Sequence, residues 1–211
     1  MSLLLAIDCG NKWTGVALLR DGLPLAELHA DLGRRQGGQL PLMVADALRL
    51  ADATFGDLSL VALTVGPGYF TSLRVGLAYG LSLAWSVGCK VVPMSSLAAI
   101  ALSAPDQGPV LSLIAASRAT VFAGLYQDGF LQGVEEETTV DALTADSQKG
   151  IVPWVCCADS RFEGQLPPGR ARVLARSCAL DLAQWAWNHQ EGALSPLEVD
   201  ARYLREPGIG K

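Results

Sequence analysis

The chain has 211 residues, half of them hydrophobic and 18% charged, with a formal net charge of −5. That composition can bury one large core or two small ones and leaves no tract poor enough in apolar residues to stay unfolded. The acidic balance argues against a protein that grips RNA phosphates across one basic face, since Arg34 with Arg35, and Arg170, Arg172 and Arg176, are the local basic groupings.

Leu3 to Asp8 reads as a first strand, Thr14 to Arg20 as a second and Leu23 to Ala30 as a third, with Asp21-Gly22 turning the hairpin between the last two. A helical pattern from about Gln39 to Ala53 places Leu40, Met43, Val44, Ala47 and Leu48 on one side. The apolar run Leu60 to Val65 predicts a buried strand, and Gly66 opens a turn into a helix from Thr71 to Val87. A strand at Lys90 to Val92 and a short helix capped by Ser95 complete the first half.

The second half repeats this order. Strands are expected near Val110 to Ala115, Val121 to Tyr126 and Phe130 to Val134, then a helix near Val140 to Ala145, a strand at Ile151 to Cys157 and a helix from Cys178 to His189. The Pro and Gly around Pro105 to Pro109 mark the boundary, which divides the chain into residues 1–104 and a smaller unit, 105–211, whose last helix and tail can pack back on the first.

The apolar run Phe70 to Val87 is interrupted by Arg74, glycines and serines, and Leu3 to Ile7 is cut short by Asp8, so both are expected to be core elements with no membrane span or leader. Five cysteines, at 9, 89, 156, 157 and 178, are odd in number and lack a paired metal spacing; buried thiols in a reducing cytosol fit them best. His29 and His189 are distant in sequence, and no Gly-x-Ser-x-Gly elbow occurs. No catalytic residue, no metal and no cofactor is therefore expected.

The segment Gly66 to Gly76 reads Gly-Pro-Gly-Tyr-Phe-Thr-Ser-Leu-Arg-Val-Gly. Gly66 and Gly68 supply backbone freedom, Pro67 fixes a φ between them, and Thr71 can cap the helix that follows. Read from residues alone, it is a plain connection, an anion cradle or a packing element. It resembles the Gly-Pro-Gly-Ser-Phe-Thr-Gly-Leu-Arg-Ile-Gly signature of the bacterial TsaB (YeaZ) family, and Leu5-Ala6-Ile7-Asp8, Gly15 to Leu18 and Arg202-Tyr203-Leu204-Arg205 resemble the same family. Tyr69, Ser72, Arg35, Ala115 and Ser117 depart from its pattern.

The resemblance implies a fold class, α/β with a duplicated actin-like (ribonuclease H-like) ATPase fold of two lobes. It implies a non-catalytic subunit that pairs with a TsaD-like ATPase, works with a TsaE-like ATPase, forms a homodimer when alone and meets tRNA only indirectly, in making N6-threonylcarbamoyladenosine. The alternative is a divergent actin-like small-molecule kinase. Such a kinase needs two phosphate loops: Asp8, Gly10 and Asn11 stand where the first would be, as a vestigial nucleotide contact or a simple turn cap, but Ala115 to Thr120 carries no acidic residue for the second. The partner face implied by the family comprises Leu40, Met43, Val44 and Ala47 with Ser72, Gly76, Tyr79 and Gly80, alongside the signature residues Gly66, Pro67, Gly68, Thr71 and Arg74. From residues alone, the stripe Ser72, Gly76 and Gly80 admits either a partner helix or the chain's own sheet.

Overall fold

The computed structural model describes residues 2–104, 108–162, 165–169 and 171–205. Strands β1 (Leu3–Asp8) and β2 (Thr14–Arg20) are buried along almost their whole length because both faces of their sheet are covered, whereas β3 (Leu23–Ala30) lies at the edge and is more exposed. Helix α1 spans Gln36–Leu50, starting three residues earlier than expected because Gly37 and Gly38, poor helix formers, disguise its first turn. Strand β4 (Leu58–Thr64), helix α2 (Phe70–Val87), strand β5 (Lys90–Met94) and helix α3 (Ser96–Leu102) follow, and the Ser95 hydroxyl accepts the Leu97 N–H at the start of α3 as the sequence predicts. The first sheet runs β3-β2-β1-β4-β5, antiparallel on the β2 side of β1 and parallel on the β4 side.

The second sheet has the same plan. Strands β6 (Val110–Ala115) and β7 (Val121–Gln127) pair antiparallel, β7 carries the short β8 (Phe130–Leu131) and β9 (Glu136–Thr138), and beyond helix α4 (Val140–Ala145) the strands β10 (Trp154–Cys157) and β11 (Ala171–Leu174) add in parallel to β6. The third strand is split here because Gly133 adopts φ +99, so the stretch expected at Phe130 to Val134 ends early and resumes as β9. The sequence pattern misses β11, whose Arg172 and Val173 are both exposed at the sheet edge. Pro105, expected to open the boundary between the halves, lies outside the described residues.

Helices α3 and α5 (Ala179–Asn188) lie between the two sheets in one continuous apolar core that includes Leu4, Ala6, Leu97, Ile100, Val110, Phe122, Leu182 and Ala186. A second cluster fills the outer face of the first sheet under α1 and α2, and a third lies under α4 on the outer face of the second. The layers are thus helices, sheet, helices, sheet, helix: a duplicated actin-like fold. All five cysteines are free and buried, and burial pushes the Cys156 thiol up to about 12, which keeps it protonated and inert. No described helix is long and apolar enough to cross a membrane.

Candidate functional site

The β1–β2 loop, where a first phosphate loop would stand, turns its polar groups inward. Asp8 is 1% exposed. Its Oδ1 accepts the Gly10 N–H and the Thr64 hydroxyl, each at 3.1 Å, and its Oδ2 accepts the Cys178 N–H at 2.9 Å. Burial raises its pKa above the usual carboxylate value, against the opposing effect of those three bonds. Gly10 is closed over by Ser96, and the buried Asn11 side chain accepts the Trp13 N–H. Asp8 thus spends its bonds on its own chain, which favours the turn-cap alternative for it, while Asn11 Nδ2 and the Ser96 hydroxyl beside Gly10 are buried without a hydrogen-bond partner among the described residues. Among the described residues no group of three or more His, Cys, Asp or Glu could hold a metal ion.

The signature turn is a packing element. Gly66 has φ +110, and a Cβ there would strike the Arg202 carbonyl; a Cβ on Gly68 would strike the Gly10 carbonyl. The Gly66–Pro67 peptide is cis. Backbone bonds tie the turn to three neighbours: Tyr69 N–H to the Gly10 carbonyl, Ser96 N–H to that of Gly66, and Arg202 N–H to that of Val65. Thr71 does not cap α2. The helix starts one residue earlier, with Tyr69 at the N-cap and no side-chain cap, because the chain enters it directly from the turn. Arg74 lies over the Phe70 ring at 3.7 Å and donates to the Tyr203 hydroxyl at 3.3 Å.

Most of the expected partner face is turned into the chain's own core. Leu40, Val44 and Ala47 are 0% exposed in the core beneath α1. A Cβ on Gly76 would lie 2.7 Å from Cys9 Cβ, and one on Gly80 2.5 Å from a Leu63 methyl, so these glycines bring α2 down onto its own sheet. Of the eight residues, Met43, Ser72 and Tyr79 remain partly exposed. The outward side of α2 instead carries Thr71, Ala78, Ser82 and Trp85, the last 68% exposed. A shallow apolar groove beside it is walled by Phe55, Tyr79, Leu83 and Val87.

A cleft of about 480 Å³ opens where the two halves meet, between the signature turn, the start of α2, the β6 end at Ala115-Ala116, and the segment Arg202 to Arg205. That segment straps the halves together. Arg202 Nε lies 3.2 Å from the Glu135 carboxylate, whose side chain is fully buried and also accepts from the Ser95 and Tyr126 hydroxyls. Burial and the bond to Glu135 raise the Tyr126 pKa. Arg205 pairs with Glu137, and Arg161, bonded to Asp159, stands over the Tyr69 ring at 4.0 Å. Sequence reasoning singled out Arg202 to Arg205 only as a matching motif and missed Arg161, Glu135 and Glu137, because contacts across 40 to 130 residues leave no periodic trace.

Residues 32–154 match the family model described as TsaD: tRNA N6-adenosine threonylcarbamoyltransferase. The chain is 32% identical over 140 residues to the tRNA threonylcarbamoyladenosine biosynthesis protein TsaB of Bacillus subtilis, a match covering 65% of this chain and 61% of that protein. It spans 39% of a Streptococcus mutans tRNA N6-adenosine threonylcarbamoyltransferase. Its structure superposes on YeaZ from Pseudomonas aeruginosa with a TM-score of 0.80 at 27% identity, over 97% of this chain and 100% of the other.

Proposed function

Because the chain belongs to the TsaB (YeaZ) family, we propose that it is a non-catalytic subunit of the machinery that forms N6-threonylcarbamoyladenosine in tRNA. The commitment of Asp8 carries this reading: a carboxylate buried on three donors of its own chain is unavailable to a magnesium–nucleotide complex. The same geometry removes support from the small-molecule kinase alternative. The protein pairs in the cytosol with a TsaD-like ATPase through the outward side of α2 and neighbouring α1 residues such as Leu42 and Met43, and a TsaE-like ATPase joins that pair. Without its partner the same side pairs with a second copy. Its groove is apolar and its exposed aromatic, Trp85, suits a buried anchor.

The test is genetic and chemical. Deleting the gene should remove threonylcarbamoyladenosine from tRNAs that read codons beginning with adenine, measured by mass spectrometry of digested tRNA, and the wild-type gene should restore it. Unchanged levels in a strain with one copy of the gene would overturn the proposal.

A further inference from the structure

Four arginines that the sequence scatters converge on the cleft between the halves: Arg161, Arg202 and Arg205 line it, and Arg74 stands against the Phe70 and Tyr203 rings that form its wall. In a chain of net charge −5 this is a local concentration of cations that no linear grouping reveals. Glu135, Glu137 and Asp159 each engage one guanidinium, and none of the described carboxylates pairs with Arg74. A guanidinium has five N–H donors; Arg202 approaches Glu135 through Nε, and Arg205 engages Glu137 and Thr120 through Nε and Nη2, so both half-exposed side chains keep Nη1 for a second anion. The cleft also offers flat faces. Arg161 stands over Tyr69 and Arg74 over Phe70, and aromatic rings and arginine planes are the surfaces on which unpaired bases stack. Helix α2 adds an N-terminus without a side-chain cap or an acidic residue in its first turn.

We infer that this cleft binds single-stranded RNA, with one base stacked on the Arg161–Tyr69 plane and adjacent phosphates on Arg205 and Arg202. The choice of RNA rests on the proposed role in tRNA modification; the contact itself is one the protein makes without a partner. Stacking on that plane requires a base free of its pairing partner, so the strand is unpaired there.

The experiment titrates a short fluorescein-labelled oligoadenylate with the isolated chain and reads fluorescence anisotropy. Saturable binding is expected, weakened about five- to 150-fold by Arg161→Ala, the range for losing one stacked base. Arg205→Ala should flatten the dependence of log affinity on log salt by about 0.7, the contribution of one single-strand phosphate contact. The double variant Arg34→Ala/Arg35→Ala, on the exposed turn before α1, should bind as the wild type does. Thermal midpoints by circular dichroism establish that each variant is folded. Absence of saturable binding, equal losses in the Arg34/Arg35 control, or equally effective displacement by an acidic peptide or a duplex would overturn the inference. None of these readouts involves the TsaD-like partner or the modified nucleoside, so failure here leaves the proposed function standing, and normal nucleoside levels in the deletion strain leave any cleft binding intact.

Discussion

Asp8 ends a buried strand with every one of its bonds directed to groups that folding has also taken out of water. Replacing it with alanine strands the Gly10 and Cys178 N–H groups and the Thr64 hydroxyl, and unsatisfied buried groups cost about 1 to 3 kcal/mol each. Asp8→Ala should therefore lower the denaturant midpoint sharply. The pH dependence has a definite sign. With the folded pKa raised above the unfolded value, the folded state holds the proton longer, so the stability Asp8 contributes is fully present below about pH 4 and is lost as pH rises through the folded pKa. Relative to Asp8→Asn, which does not titrate, the wild type should be at its best in acid and lose ground toward neutrality, as measured by urea unfolding across that range. An advantage that instead grows with pH would show that the three hydrogen bonds outweigh burial. The sequence marks Asp8 as special through its place after an apolar run. It cannot tell a carboxylate aimed at a ligand from one aimed at Cys178, because that partner is supplied 170 residues later.

At the scale of elements, the three-strand meander, the parallel fourth strand and its repeat are legible because period-two and period-3.6 patterns are local. The face a helix presents is less so. On α2, small residues occur on two sides, Ser72, Gly76 and Gly80 on one and Thr71, Ala78 and Ser82 on the other, and nothing local says which side meets the sheet. The packing decides it: a leucine at 80 has to displace Leu63, itself 1% exposed. Gly80→Leu should thus destabilise the isolated chain by roughly 1 to 3 kcal/mol through overpacking, visible as a drop of several degrees in the thermal midpoint. Ser82→Arg, on the exposed side, should leave that midpoint within about 0.5 kcal/mol of the wild type. It should weaken binding to a purified TsaD-like protein at least tenfold by calorimetry, because an arginine cannot be buried in an apolar groove without a partner charge. Equal affinity for both proteins would move the interface elsewhere.

For the molecule as a whole, the division into residues 1–104 and 105–211 follows the repeat in element order, but the core does not respect it. Helix α5 packs on β1, β2 and β4 of the first sheet, and side chains from both halves share one apolar cluster. We expect a fragment of residues 1–104 to be aggregated or largely unstructured by circular dichroism and to regain native signal when the remainder is added. A cooperatively folded fragment would show that each half is sufficient alone. Element order was legible without this coupling because order is a one-dimensional property, whereas the helix that covers β1 comes from the far end of the chain.

The strap from Arg202 to Arg205 has a temporal consequence. A nascent chain leaves the ribosome from its N-terminus, so the signature turn emerges well over a hundred residues before the segment whose Arg202 carbonyl presses on Gly66 and whose side chains wall the cleft. Until that segment clears the exit tunnel there is no cleft, and β1 lacks its α5 cover. Cleft assembly therefore waits on the later-made of its two walls, and until then the exposed first sheet is the part of the protein in greatest need of a chaperone.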